Sequence, residues 1–163
     1  MSIEDNKLDS KIDALETLKL FRIIFKSANR HFHEVEKKAG IGGASLWALA
    51  EMLDINNLTM SELAKAMSIH QSTASNLIEK LEVKGYVVRI RSLEDRRVVH
   101  LTLTDHGREI LSKAPPPYRG ILPDALMSMD PLSHSALNVH LTDLIAGMSL
   151  KHDDSAFEPL GMV

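Results

Sequence analysis

The chain has 163 residues, a formal charge of −3 at neutral pH, 44% apolar and 25% charged residues, and no cysteine. Those figures exclude disulfides, thiolate metal sites and cysteine redox switches, and fit a globular protein with one sizeable core or two small lobes that share elements. No run of about eighteen apolar residues suggests a membrane span, and the start, Met1 to Lys7, lacks the basic flank and apolar core of a secretory leader, so a cytoplasmic protein with no membrane partner is expected.

The charge is unevenly spread. Residues 1–20 hold three lysines against five acids, net −2; residues 114–163 hold two basic residues against six acids, net −4; residues 21–113 therefore carry +3. A charged partner senses only the local field, screened within roughly 8–10 Å at physiological salt. A basic stripe can thus act on an acidic chain, the alternative being ordinary solvated charge.

A long helix is predicted over residues 12–39. Leu18, Phe21, Phe25, Ala28, Phe32 and Val35 recur at alternating steps of three and four, a heptad-like seam. Leu20, Ile23 and Ile24 lie off that seam, and a helix apolar on more than one side has to bury more than one side. A subunit partner is the expectation; packing on its own chain is the alternative. Ala39-Gly40-Ile41-Gly42-Gly43 breaks this helix. Leu46, Leu49, Ala50 and Leu53 mark a second helix, which Ile55-Asn56-Asn57 ends.

Thr59-Met60-Ser61-Glu62 is a capping-box signature for a third helix with Met60, Leu63, Ala64 and Met67 facing inward. Ser68-Ile69-His70-Gln71 is a turn. Ala74, Leu77, Ile78 and Leu81 repeat the inward pattern in a fourth helix, and Gly85 stands where a left-handed C′ residue is needed. Tyr86 to Arg91, and Val99, Leu101 and Leu103 alternating with His100 and Thr102, read as two strands. Thr104 caps the next helix. Pro115-Pro116-Pro117 stops or bends it; helix resumes near Arg119 and is interrupted again at Pro123. Asp130-Pro131 starts a last helix lined by Leu137, Leu141, Leu144, Ile145 and Met148, and the chain beyond Leu150 reads as a frayed acidic tail.

Helix, turn, helix and two strands with a polar loop between them form a winged helix-turn-helix, which places one helix in a DNA major groove. The fourth helix leaves Gln71, Ser72, Thr73, Ser75, Asn76 and Lys80 free of core duty. Gln and Asn can bond adenine bidentately, and Ser and Thr suit bases or phosphates. Glu79 and Glu82 must point away from the phosphate backbone. In the loop, Asp95 stands two residues before Arg97, able to orient that guanidinium for a narrow, electronegative minor groove, with Arg96 and Arg91 at phosphates and Arg89 on the same strand. Taken alone, each set also reads as a solvated face or a surface ion pair; the combination favours DNA.

Residues 58–111 resemble the MarR (multiple antibiotic resistance regulator) family of bacterial transcription factors. The stretches that carry the likeness are Leu58 to Ala64, Leu77 to Gly85, and Asp95-Arg96-Arg97 through Val99, Leu101 and Leu103 into Thr104-Asp105-His106-Gly107. The resemblance implies a mostly α-helical fold with a small two-stranded β wing. It further implies a dimerisation lobe built from the N- and C-terminal helices. A homodimer on a pseudo-palindromic operator is implied, usually repressing and released by a small phenolic or carboxylate effector. His70 departs from the family's Ser or Asp at the start of the DNA-reading helix, and the three prolines interrupt the helix that links wing to dimer lobe, as a hinge or as a reshaping of the pocket.

The expected division is 1–40 for the N-terminal dimerisation helix, 41–112 for the winged helix-turn-helix, 113–150 for the C-terminal dimerisation helices and 151–163 for a flexible tail. The family's pocket lies between the two lobes, where His31, His33, Trp47, Tyr118 and Arg119 are candidates. His31, Trp47, Tyr118 and Arg119 are retained as the ligand set. His106 and Glu109, with His33, are a weak metal option; no metal and no cofactor are expected, and no catalytic residues stand out. The reading is a cytoplasmic bacterial regulator, nucleoid-associated when on DNA. A winged helix used only for protein contact and a metal-responsive regulator are the alternatives.

Overall fold

The computed structural model describes residues 3–55 and 57–160, residues 3–10 as backbone only. Asn56, in the predicted end of the second helix, and residues 161–163 of the predicted tail lie outside the described residues. Among the described residues no helix is long and apolar enough to cross a membrane.

The elements run α1 (Ile3–Ala39), α2 (Gly43–Asp54), β1 (Leu58–Thr59), α3 (Met60–Ala66), α4 (Gln71–Val83), β2 (Val87–Arg91), β3 (Val99–Leu103), α5 (Asp105–Lys113), α6 (Ile121–Met127) and α7 (Pro131–Ala146), followed by a 3-10 turn at Asp153–Phe157. The helix predicted from residue 12 begins at Ile3. One core joins the C-terminal part of α1 to α2, α3, α4, the sheet and α5; Leu46, Leu49, Leu63, Ile78, Leu81 and Val87 are among its most enclosed side chains. Leu53, predicted to face inward, is 43% exposed. It falls at the edge of the buried stripe of α2.

The wing is three-stranded rather than two-stranded. The order is β1-β3-β2, antiparallel throughout, with Val87 opposite Leu103, Arg91 opposite Val99 and Leu58 opposite Leu101. A two-residue strand is too short to show alternation in sequence, so β1 was visible only as the lead-in to α3. The capping box does form. Thr59 Oγ1 accepts from the Glu62 backbone N–H, and the Glu62 carboxylate accepts from the Thr59 N–H at 2.8 Å. That pairing holds the Glu62 carboxyl below its ordinary value.

The helix-turn-helix bend turns at Ser68, which takes a left-handed φ of 54° while Ile69 N–H reaches the Ala64 carbonyl. The end of α4 closes the same way through Gly85 at φ 72°, with Tyr86 N–H on the Leu81 carbonyl and Gly85 N–H on the Glu82 carbonyl. Pro123 does not interrupt a helix. It is the third residue of α6, where a backbone N–H has no intrahelical acceptor to lose. Asp130 caps α7 through the Leu132 and Ser133 N–H groups, with Pro131 at the first helical position.

Gly107 is required by contact rather than by dihedral angle. A Cβ there would sit 2.2 Å from the Tyr86 carbonyl oxygen, because the first turn of α5 rests on the chain leaving α4. Gly107→Ala should therefore lower stability by about 1–3 kcal/mol, the range for overpacking a tight contact. Denaturant unfolding at constant m-value checks this, and an unchanged midpoint would contradict the contact.

Candidate nucleic-acid interface

The apolar residues of α4 are consumed by the core: Ala74, Leu77, Ile78 and Leu81 are buried. Gln71, Ser72, Asn76 and Lys80 are exposed, and Thr73 and Ser75 are half-buried on the flank of the same face. His70 is the N-cap and makes no side-chain capping bond, in keeping with the departure noted in sequence. Glu82 turns aside to pair with Arg89 of β2, N to O 3.3 Å. This pairing was not foreseen. It takes one acid and one base out of the residues expected to face DNA and ties the end of α4 to the wing. Lys80, together with Asn76, Glu79, Lys84 and Ser45 of α2, lines an open groove of about 590 Å³ beside the helix. Lys84 was also missed, since it follows the last apolar residue of α4.

The wing tip is organised by short bonds. Ser92 Oγ accepts from the backbone N–H groups of Glu94 and Asp95, and Val98 N–H donates to the Asp95 carbonyl. Asp95 in turn receives the Arg97 backbone N–H at 3.0 Å, Arg97 Nε at 3.1 Å and Arg97 Nη2 at 2.9 Å. The guanidinium is thus gripped along one edge, with Nη1 left for a ligand, while 90% of the Arg97 side chain is exposed. The Arg97 hydrogen bonds, side chain first and backbone second, hold the Asp95 carboxyl below the usual carboxylate range. The pair is therefore complete at neutral pH and is lost only as pH falls through that lowered value. Arg91 and Arg96 are exposed beside it.

The wing's base is fixed as well. His100 shares a 2.6 Å hydrogen bond with the Asn57 carbonyl. Thr104 Oγ1 donates toward the Gly85 and Tyr86 carbonyls and accepts the Gly107 N–H at 3.0 Å. The His106 ring meets the edge of Tyr86.

The four ligand candidates lie along the contact of the proline segment with α1 and α2, where three of them bond other residues and the fourth packs on the core. His31 Nε2 lies 3.1 Å from the Pro117 carbonyl. Trp47 Nε1 and Arg119 Nε each donate to Glu51 Oε1 at 2.7 Å, and Arg119 Nη2 donates to Asp54 at 2.7 Å. Tyr118 packs partly buried on the core. Glu51, whose side chain is only 7% exposed, is the residue the sequence reading missed. Its i, i+4 spacing from Trp47 was the available signal. His33, His106 and Glu109 do not assemble: among the described residues no three metal-ligating side chains cluster, and Glu109 is bonded to Lys113.

A short helix-turn-helix, a paired wing and an arginine gripped at its tip define a winged-helix protein. Residues 44–99 match the family model described as MarR family. The chain is 32% identical over 84 residues to the HTH-type transcriptional repressor MdtR of Bacillus subtilis, a match covering 52% of this chain and 54% of that one. The chain spans about half the length of the curated relatives it matches. A MarR family protein from Bacillus stearothermophilus is 25% identical, with a TM-score of 0.53, over 86% of this chain and 98% of that one. The MepR–DNA complex of Staphylococcus aureus, 20% identical at a TM-score of 0.56 over 78% and 92%, shares the fold. The family model thus falls on the winged-helix segment, the part of the chain whose motifs resemble the MarR family.

Removing Arg119 leaves the Glu51 carboxylate in a mostly enclosed site with Trp47 as its one side-chain donor among the described residues. Arg119→Ala should cost about 1–3 kcal/mol, the range for a charged hydrogen bond, discounted because Arg119 is a third exposed. Chemical denaturation checks this; a loss indistinguishable from that of a surface pair would contradict it.

Proposed function

We propose that this chain is a sequence-specific DNA-binding transcriptional regulator, not an enzyme. It acts as a homodimer on a pseudo-palindromic operator, as a repressor that a small aromatic or carboxylate ligand releases. The observation that carries the reading is the Asp95–Arg97 pair. It fixes a fully charged, solvent-facing guanidinium at the wing tip before any DNA arrives, so less side-chain entropy is lost on entry into a minor groove. The polar face of α4 supplies base contacts from Gln71, Ser72, Thr73, Ser75 and Asn76. Lys80, Arg91 and Arg96 supply phosphate contacts. The relatives support it: one is named a transcriptional repressor, and one fold neighbour is a complex with DNA.

The dimer reading rests on apolar surface that one chain leaves uncovered. Leu18, Leu20, Ile23 and Phe25 of α1 are exposed, and α7 buries none of its residues, Leu144 and Ile145 included. Covering both helices with a second copy would hold two α4 helices about one DNA turn, ~34 Å, apart. The effector reading rests on Arg119. A ligand carboxylate exchanged for Glu51, close to His31, Trp47 and Tyr118, would loosen the proline segment from α2 and favour another spacing. Its leverage equals its differential affinity for the two arrangements. Such a regulator works in the cytoplasm, on the nucleoid when bound.

Arg97→Ala should weaken binding to the gene's own upstream duplex by about ten- to a hundredfold while sedimentation still reports the same oligomer. An unchanged affinity sinks the role of the wing arginine. If the unaltered protein fails to bind any upstream duplex at physiological salt, the winged helix serves protein contact instead. The logarithm of affinity should also fall linearly with the logarithm of salt, by about 0.9 per phosphate neutralised. A flat dependence would remove the basic residues from the interface.

A further inference from the structure

Beyond α7 the chain comes back to the start of α4. Asp153–Phe157 forms a 3-10 turn, and the Phe157 ring lies 4.7 Å from the His70 ring, centroid to centroid, tilted by 43°. His70 is the N-cap of α4, the end of a DNA-reading helix whose residues reach base edges. Its imidazole makes no capping bond, so its ring is available as a platform. The arriving segment is acidic: Asp153, Asp154 and Glu158 stand against a single base, Lys151. Phe157 remains 46% exposed, so the contact is shallow and can open without disturbing the core.

We propose that the C-terminal segment around Phe157 is an intrachain cover for the start of α4, an autoinhibitory contact that DNA has to displace. The proposal rests on the DNA-binding reading above. Three physical features make the cover effective. The tether converts the ring contact into an intramolecular one with a high effective concentration. The carboxylates repel phosphate within the screening distance of ~8–10 Å. The apparent affinity for DNA is then the intrinsic affinity scaled by the fraction of chains with the cover open. A molecule that captured the tail would raise DNA affinity without touching the DNA-reading face.

The test uses the full chain, Phe157→Ala, and a triple variant Asp153→Asn, Asp154→Asn, Glu158→Gln. Each is titrated against a labelled duplex from the gene's upstream region, with the His70 ring resonances followed by NMR in the absence of DNA. Phe157→Ala should shift the His70 resonances and tighten DNA binding by about two- to tenfold, the range of an aromatic pair. The triple variant should tighten binding more at low salt than at high salt. Unshifted His70 resonances, or DNA affinity unchanged or weakened in both variants while the unaltered chain binds, would overturn the cover and leave the DNA-binding reading intact. Absence of DNA binding in all three chains, with His70 still shifted by Phe157→Ala, would overturn the DNA-binding reading and the inhibitory role with it.

Discussion

A helix and a wing can engage one duplex together only if the angle between them is held. Here that angle is set over a few atoms, where the chain leaves α4 and where it enters α5. Gly85 takes the left-handed turn that lets Tyr86 start the wing. Thr104, at the same end of the sheet where β3 runs out, bonds the Gly85 and Tyr86 carbonyls and also caps α5. Gly107 allows α5 to approach so closely that the Tyr86 carbonyl lies where a side chain would begin. The Glu82–Arg89 pair adds a second link between α4 and the sheet, modest because both partners are partly exposed. Everything attached to the wing inherits its position from this joint.

The electrostatics are arranged on the same plan. Both chain ends carry net negative charge, the C-terminal one because bases are scarce there, and the basic surplus falls in the middle, so a net charge of −3 hides a positive surface on the middle segment. Within that surface the strongest geometric statement is the bidentate hold of Asp95 on Arg97. An acid in the middle of a basic wing is tolerable because its charge is already spent on a guanidinium. Its depressed proton affinity keeps it so at neutral pH.

What sequence revealed and what it withheld divide along physical lines. The helices of the winged segment were legible because their inward faces repeat at helical spacing and their ends carry local chemistry: Thr59 with Glu62, Gly85, Thr104, Asp130 with Pro131. The Asp95–Arg97 pair was legible because its partners are two residues apart. Long-range features were not. The third strand pairs residues some forty positions apart, and Glu51 meets Arg119 across 68 positions. Ser68 adopts a left-handed conformation with no glycine to announce it. Pro123 looked like a helix breaker because its meaning depends on where the helix begins, which Gly120 at φ 94° decides and composition does not. The return of Phe157 to His70 had no local signature at all.

The proline segment, which in sequence looks like the softest point of the chain, is fastened on two sides. Its last carbonyl is shared by His31 and the Gly120 N–H, and two residues later Arg119 is bolted to both Glu51 and Asp54. Rotation at the prolines would have to break ionic and hydrogen bonds together. Ala114, the extended residue that joins α5 to this segment, is itself buried in the core and adds a third fastening. A torque applied to α6 would then travel through α1 and α2 as one solid block, and the transmission would be that of a rigid strut rather than of a loose cord.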